Sequence, residues 1–237
     1  MALHAQRVLA VVPARGGSKG IAGKNLKTVR GLSLVARAAR AIAECAVVDR
    51  AVCSTDDVAI AAEAERHGLP APFLRPREFA SDEAKSIDVW RHAWIECERR
   101  DGVAYALSIL VEPTSPLRRA ADLERTLTVM LDAGARAAAT VSRTPAHFTP
   151  HKTLTVDNAG RIGFYLADGG RFARRQEIPA YYHRNGVCYA ACRETVVEWG
   201  TILEYDCVAV VIDRPLVNID DPLDLDIAEM LASREGW

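Results

Sequence analysis

The chain has 237 residues, of which 49% are hydrophobic and 26% charged, and a formal net charge of −1; that is enough for one substantial α/β core with a small appendage. The balance excludes a solvated low-complexity protein and a nucleic-acid binder that works through bulk positive charge. No apolar run approaches the roughly 20 residues of a membrane span, no signal-like pattern opens the chain, and the six cysteines form neither a CxxC pair nor a zinc spacing. A cytoplasmic protein with reduced thiols, and with neither membrane nor nucleic acid as a partner, is therefore expected.

The first element is the run RVLAVVP, Arg7 to Pro13, whose near-continuous aliphatic character fits a strand buried on both faces of a parallel sheet. A glycine-rich loop follows to Asn25. Helical spacing of Ala, Leu and Ile from Leu32 to Val47, then the apolar stretch Arg50 to Ser54, predicts a βαβ unit. Further helices are expected at Asp57 to His67 (closed by Gly68), at Ile87 to Arg99 and at Ala121 to Asp132 (before Gly134), with strands at Tyr105 to Val111 and Ala135 to Val141.

From about Pro145 to Tyr182 the alternation breaks. Thr153 to Val156 and Arg161 to Tyr165 read as hairpin strands, and Gly169 to Arg175 as a basic loop. Strands at Gly186 to Ala191 and Cys207 to Ile212 resume, and a helix from Leu223 to Ser233 follows Asp220, Asp221 and Pro222. The pattern predicts an α/β fold with a Rossmann-like, mostly parallel sheet and helices on both faces. Residues 1–144 would form a nucleotide-binding core, 145–183 a small dimerisation excursion, and 184–237 the return to the core. Ligands of such sheets sit at the carboxyl ends of the strands.

The loop after the first strand reads PARGGSKGIAGKN, residues 13–25, with four glycines, two lysines and an arginine. Glycines let backbone approach an anion and cations stabilise phosphate charge. The spacing is neither Walker A, since Ser18 stands five residues before Gly23, nor GxGxxG. Taken alone, the loop predicts phosphate binding and no more.

Together with STDD (54–57), FLRP (73–76), Ala80 to Ser86, EPTSPLR (112–118), KTL (152–154), RNG (184–186) and NIDDPLD (218–224), it resembles the CMP-sialic acid synthetases, or N-acylneuraminate cytidylyltransferases. That family includes relatives that activate legionaminic or pseudaminic acid, and the similarity covers nearly the whole chain. It implies a sheet of the nucleotide-diphospho-sugar transferase type, a homodimer, and transfer of CMP from CTP to the anomeric hydroxyl of an acidic nonulosonic sugar.

The same resemblance assigns roles. Arg15 and Lys24 would contact the triphosphate, with Gly16, Gly17 and Ser18 beside them. Asn25 would meet the ribose, and Arg75 and Ser86 the cytosine. Glu112, where many relatives carry Gln, would face the sugar together with Lys152, Arg184 and Asn185, while Arg175 would reach the sugar carboxylate from a neighbouring subunit. Asp220 would hold Mg²⁺, with Asn218, standing where an Asp is expected, as a second metal ligand through at most a neutral carbonyl.

The residues leave other readings open: Arg75 as a surface ion-pair residue, Arg171 to Arg175 as a plain basic loop, and Asp221 as a helix cap. His67, His92, His147 and His151 show no metal spacing, and Trp90 with Trp94 reads as a packing stripe. A different base or acid sugar, or a non-catalytic nucleotide-sugar binder, are the rival functions.

Overall fold

In the computed structural model, which describes residues 6–172, 174–204 and 206–236, β1 (Val8–Pro13) is buried along all but its last residue. Its side chains alternate between two cores. Val8, Ala10 and Val12 pack with one cluster, Leu9 and Val11 with another, which is why the strand reads as a continuous apolar run.

Past the glycine-rich loop, β2 (Thr28–Val29) and β3 (Leu32–Ser33) form a short antiparallel ribbon. Its turn residues Arg30 and Gly31 both adopt positive φ, 50° and 76°, as a two-residue hairpin requires. Ser33 then caps α1 (Leu34–Ala43), its hydroxyl accepting from the Ala36 N–H at 3.2 Å. The helix is thus shorter than the expected 32–47. Cys45, Val47 and Val48 pack on the core outside it, which carries the apolar pattern past its end.

The chain continues through β4 (Arg50–Ser54), α2 (Val58–Arg66), α3 (Ser86–Asp101), β5 (Leu107–Leu110), α4 (Ala120–Asp132) and β6 (Ala137–Arg143). After an excursion containing the hairpin β7 (Leu154–Val156) and β8 (Ile162–Phe164) come β9 (Tyr182–Cys192), β10 (Cys207–Val211) and α5 (Pro222–Arg234). A turn of π-helix, Glu194–Trp199, had no counterpart in the sequence pattern.

The six-stranded sheet runs β10-β6-β9-β5-β1-β4. β9 pairs antiparallel with both β5 and β6, and the other pairings are parallel. This mostly parallel α/β sheet has α3, with Trp90 and Trp94 fully buried, packed on one face, and α1, α2 and α4 on the other. Burial of each large apolar side chain contributes about 1.5–3 kcal/mol.

The reversal of β9 positions the site. Running against its neighbours, β9 places its first residues at the edge where β1, β5 and β6 end, so Gly186 meets Glu112. The strand also begins at Tyr182, earlier than the apolar run from Gly186 suggested, because its first residues pair with Ser142 and Arg143 while staying exposed.

Among the described residues all six cysteines are free thiols, and no helix is long and apolar enough to cross a membrane.

Candidate active site

A cleft of about 480 Å³ opens at the carboxyl edge of β1, β4 and β5. The glycine-rich loop forms one wall, and residues 75–89, 112–114 and 218–220 close the rest.

The loop is held in shape by its own polar groups. The Ala14 N–H prolongs the sheet pairing to the Ser54 carbonyl at 2.9 Å. Asn25 is buried and its Nδ2 donates to the Arg15 carbonyl at 2.9 Å, tying the two ends of the loop together. Two glycines serve docking. A Cβ on Gly16 would lie 2.7 Å from Asp57 Oδ2, and one on Gly20 would lie 2.6 Å from the Asp220 carbonyl oxygen. The Gly16 N–H is engaged by Asp56 Oδ1 at 3.0 Å, whereas Gly17 faces open space.

Three cations line this end. Arg15 Nη1 and Lys19 Nζ each lie 2.8 Å from Asp82, whose carboxyl is held below its ordinary range by the hydrogen bond from Lys19 first and Arg15 second. Lys24 Nζ donates to the Ile219 carbonyl at 2.8 Å and reaches Asp220 Oδ1 at 3.2 Å. Neither Lys19 nor Asp82 was assigned a role from sequence; a lysine inside the loop was the available signal.

Arg75 is 5% exposed, which rules out the surface ion-pair reading. Its Nε donates to Ser54 Oγ at 3.1 Å, its Nη2 to the Ser54 carbonyl and its Nη1 to the Phe79 carbonyl at 3.4 Å. It braces the floor between β4 and the turn that precedes α3. Burial lowers its pKa to about 10. Ser86, the first residue of α3, lines the same cleft.

Glu112 lies two residues past the end of β5. Burial raises its pKa; Arg118, Arg184 and Lys24 oppose that rise, and Asp220 adds to it. Behind it stands Arg118, 2% exposed, whose Nε donates to the Val187 carbonyl at 2.8 Å and whose Nη2 donates to the carbonyls of Gly186, at 3.0 Å, and Glu112. This guanidinium joins the end of β5 to β9. The reading of the 112–118 motif gave it no role, because two of the three carbonyls it gathers, those of Gly186 and Val187, are remote in sequence.

Asn218 and Asp220 form a pair. Asn218 Nδ2 donates to Asp220 Oδ2 at 3.1 Å, and Ser115 Oγ lies 3.3 Å from Asn218 Oδ1. Since a carboxylate only accepts, the amide N–H₂ must face Asp220. The Asp220 side chain is 69% exposed and points to solvent at the cleft mouth. Asp221 is the N-cap of α5 in a reciprocal box with Asp224, whose Oδ2 accepts from the Asp221 N–H at 2.8 Å.

Of the residues expected at the site, Arg15, Ser18, Lys24, Asn25, Arg75, Ser86, Glu112, Asn218 and Asp220 line one cleft. The remaining sugar-side residues do not. Arg184 and Asn185 line an adjoining recess that shares Asn218 with the cleft. Asn185 is buried with both amide ends engaged, by Thr140 Oγ1 at 2.7 Å and Ser142 Oγ at 3.1 Å. Lys152 donates to the Phe172 carbonyl at 2.7 Å within the excursion. Arg175 opens the turn Arg175–Glu177, and its side chain lies outside the described residues.

Comparison with known proteins gives this geometry a family. Residues 9–186 match the family model described as Cytidylyltransferase. The chain is 26% identical to the post-translational flagellin modification protein B of Campylobacter coli, over 97% of this chain and 96% of that protein. It is 26% identical to the CMP-N,N'-diacetyllegionaminic acid synthase of Legionella pneumophila, over 95% and 96%, and 26% identical to the pseudaminic acid cytidylyltransferase of Campylobacter jejuni, over 94% and 95%. In fold it is similar to a CMP:2-keto-3-deoxy-manno-octonic acid synthetase complexed with CTP, with a TM-score of 0.70 at 19% identity and coverage of 97% and 99%. The chain belongs to the cytidylyltransferase family.

Proposed function

We propose that the protein transfers CMP from CTP to the anomeric hydroxyl of an acidic nonulosonic sugar, releasing pyrophosphate. The observation that carries this reading is the convergence of Arg15, Lys24 and Asp220 with the buried brace Arg75 in one cleft at the carboxyl edge of the sheet. The names of the relatives, which concern legionaminic and pseudaminic acids, supply the sugar class.

The triphosphate would lie along the loop, exchanging the Asp82 contacts of Arg15 and Lys19 for phosphate oxygens. Arg15 and Lys24 would oppose the charge that gathers on the leaving pyrophosphate. Asn25, held from below, fits the ribose, and the pocket over Arg75 and Ser86 fits the cytosine. Catalysis here is alignment of the sugar hydroxyl with the α-phosphorus in a charged cleft, without a covalent enzyme intermediate.

A divalent cation is part of this reading. Among the described residues no three His, Cys, Asp or Glu side chains gather as a metal site, and Asn218 turns its N–H₂ rather than its carbonyl to Asp220. One exposed carboxylate is what Mg²⁺ needs when phosphates and waters fill its other positions. Asp220 would hold it and Asn218 would orient Asp220. The bound ion would neutralise charge on the transferring phosphate.

The excursion supports a homodimer. Phe148, Val156, Ile162 and Tyr165 are 63–76% exposed there, apolar side chains that a second copy would cover, bringing Lys152 and Arg175 toward a neighbouring cleft. A cytoplasmic location suits free thiols and a CTP substrate.

The test is pyrophosphate release with CTP, UTP, GTP or ATP, Mg²⁺, and neuraminic, legionaminic, pseudaminic or Kdo-type acids, with the conjugate identified by mass. Turnover with CTP and a nine-carbon acid is expected. Faster turnover with GTP would overturn the base assignment, and CTP binding without any conjugate would leave a binding protein.

A further inference from the structure

Transfer to a hydroxyl leaves a proton to be placed, and three carboxylates line the cleft: Asp82, Glu112 and Asp220. They differ in what already occupies their lone pairs. Asp82 is held by Arg15 and Lys19 at 2.8 Å each. Asp220 receives Lys24 on one oxygen at 3.2 Å and Asn218 on the other at 3.1 Å. Among the described residues Glu112 forms no ion pair, and burial and the charges around it, not a side-chain hydrogen bond, set its carboxylate's surroundings.

We propose that Glu112 is the base of the reaction. It accepts the proton of the sugar hydroxyl as that oxygen bonds to the α-phosphorus. The bond from the α-phosphorus to the bridging oxygen then breaks, and pyrophosphate leaves with the electron pair. The proton passes from Glu112 to water after product release. This assignment rests on the cytidylyltransferase reading above.

The surroundings hold the group in place without occupying it. Arg118 grips the Glu112 carbonyl, fixing the backbone. Gly186, at φ 67°, leaves the space the carboxylate fills, since a Cβ there would lie 2.5 Å from Glu112 Oε2 and 3.0 Å from Ser115 Oγ. The charged groups that face it are Arg118, Arg184 and Lys24, which favour the carboxylate, and Asp220, which disfavours it. Lys24 and Asp220 belong to the phosphate end and Arg184 to the adjoining recess, so Glu112 stands between the two substrates. Burial raises its pKa above the ordinary glutamate value, toward the range in which a base is effective.

The experiment is the pH dependence of kcat for the full chain and for Glu112→Gln, with CTP, Mg²⁺ and the best sugar from the panel. Expected are a KM for CTP within about threefold of the parent, a kcat lower by about 10²-fold, and loss of the acid limb of the parent profile. Formate should restore part of the turnover of Glu112→Ala, which a purely structural role would not allow. If the Gln variant does not fold, Glu112→Asp should keep the acid limb at reduced kcat. A Gln variant with near-parental kcat and an intact acid limb, or one altered only in the KM for sugar, overturns the assignment. A parent protein that turns over no sugar at all overturns the functional reading itself, so the two failures are distinguishable.

Discussion

Arg15, Lys19 and Lys24 each reach a carboxylate across the phosphate end of the cleft, at 2.8, 2.8 and 3.2 Å, whereas Glu112 and Arg184 at the other end form no ion pair among the described residues. The first set of charges is held in position by partners that a triphosphate would replace. Such positioning lowers the cost of ordering side chains when the ligand arrives. One end is therefore preorganised for its ligand, and the other takes its final form with the sugar and, under the homodimer reading, with a second copy.

The largest expected effect breaks the preorganised end. Lys24→Ala should lower kcat/KM about 10²–10³-fold, the range seen when one transition-state donor is removed, with a fall of only a few degrees in melting temperature, because the largely buried Lys24 side chain gives up one hydrogen bond to the Ile219 carbonyl and one contact to Asp220. Pyrophosphate release and a thermal melt read both. A loss below about threefold would show that the reacting phosphate lies elsewhere.

The Asn218–Asp220 pair gives the next test. Asp220→Ala should raise the Mg²⁺ concentration for half-maximal rate by about tenfold or more, while Asn218→Asp, which adds a second carboxylate, should lower it severalfold. A magnesium titration of both variants decides. Parental behaviour of Asp220→Ala would remove it from the metal.

Gly186→Ala probes the seam between the ends. The positive φ and the Cβ clash with Glu112 should cost about 1–3 kcal/mol of stability, seen as a lower melting temperature, together with a fall in kcat as the carboxylate is displaced. An alanine variant with parental stability would mean that the strand can shift at no cost.

Much of the preorganised end was legible in the sequence, because β1 announces itself as an aliphatic run and the loop carries its charges within thirteen contiguous residues. What the loop's glycines do was less legible. Gly16 and Gly20 are set by Asp57 and by the Asp220 backbone, more than 30 residues away. Arg75 read equally well as a surface residue or a base contact, since the carbonyls that bury it, Ser54 and Phe79, come from separate segments. The direction of β9 left no local mark either. Its antiparallel course is settled by pairing with β5 and β6, and only that course brings Gly186 to Glu112 and lets Arg118 join them. Asn185 falls on the core side for the same reason, at the irregularity in β6 between Ala139 and Val141 where Thr140 meets it.

The difference between the two ends is tested most directly by calorimetric titration of CTP and Mg²⁺ into the protein without sugar, with UTP as the comparison. A preorganised phosphate end should bind one CTP per chain, more tightly than UTP, before any acidic sugar is present. Binding that appears only after the sugar is added, or that does not distinguish CTP from UTP, would contradict it.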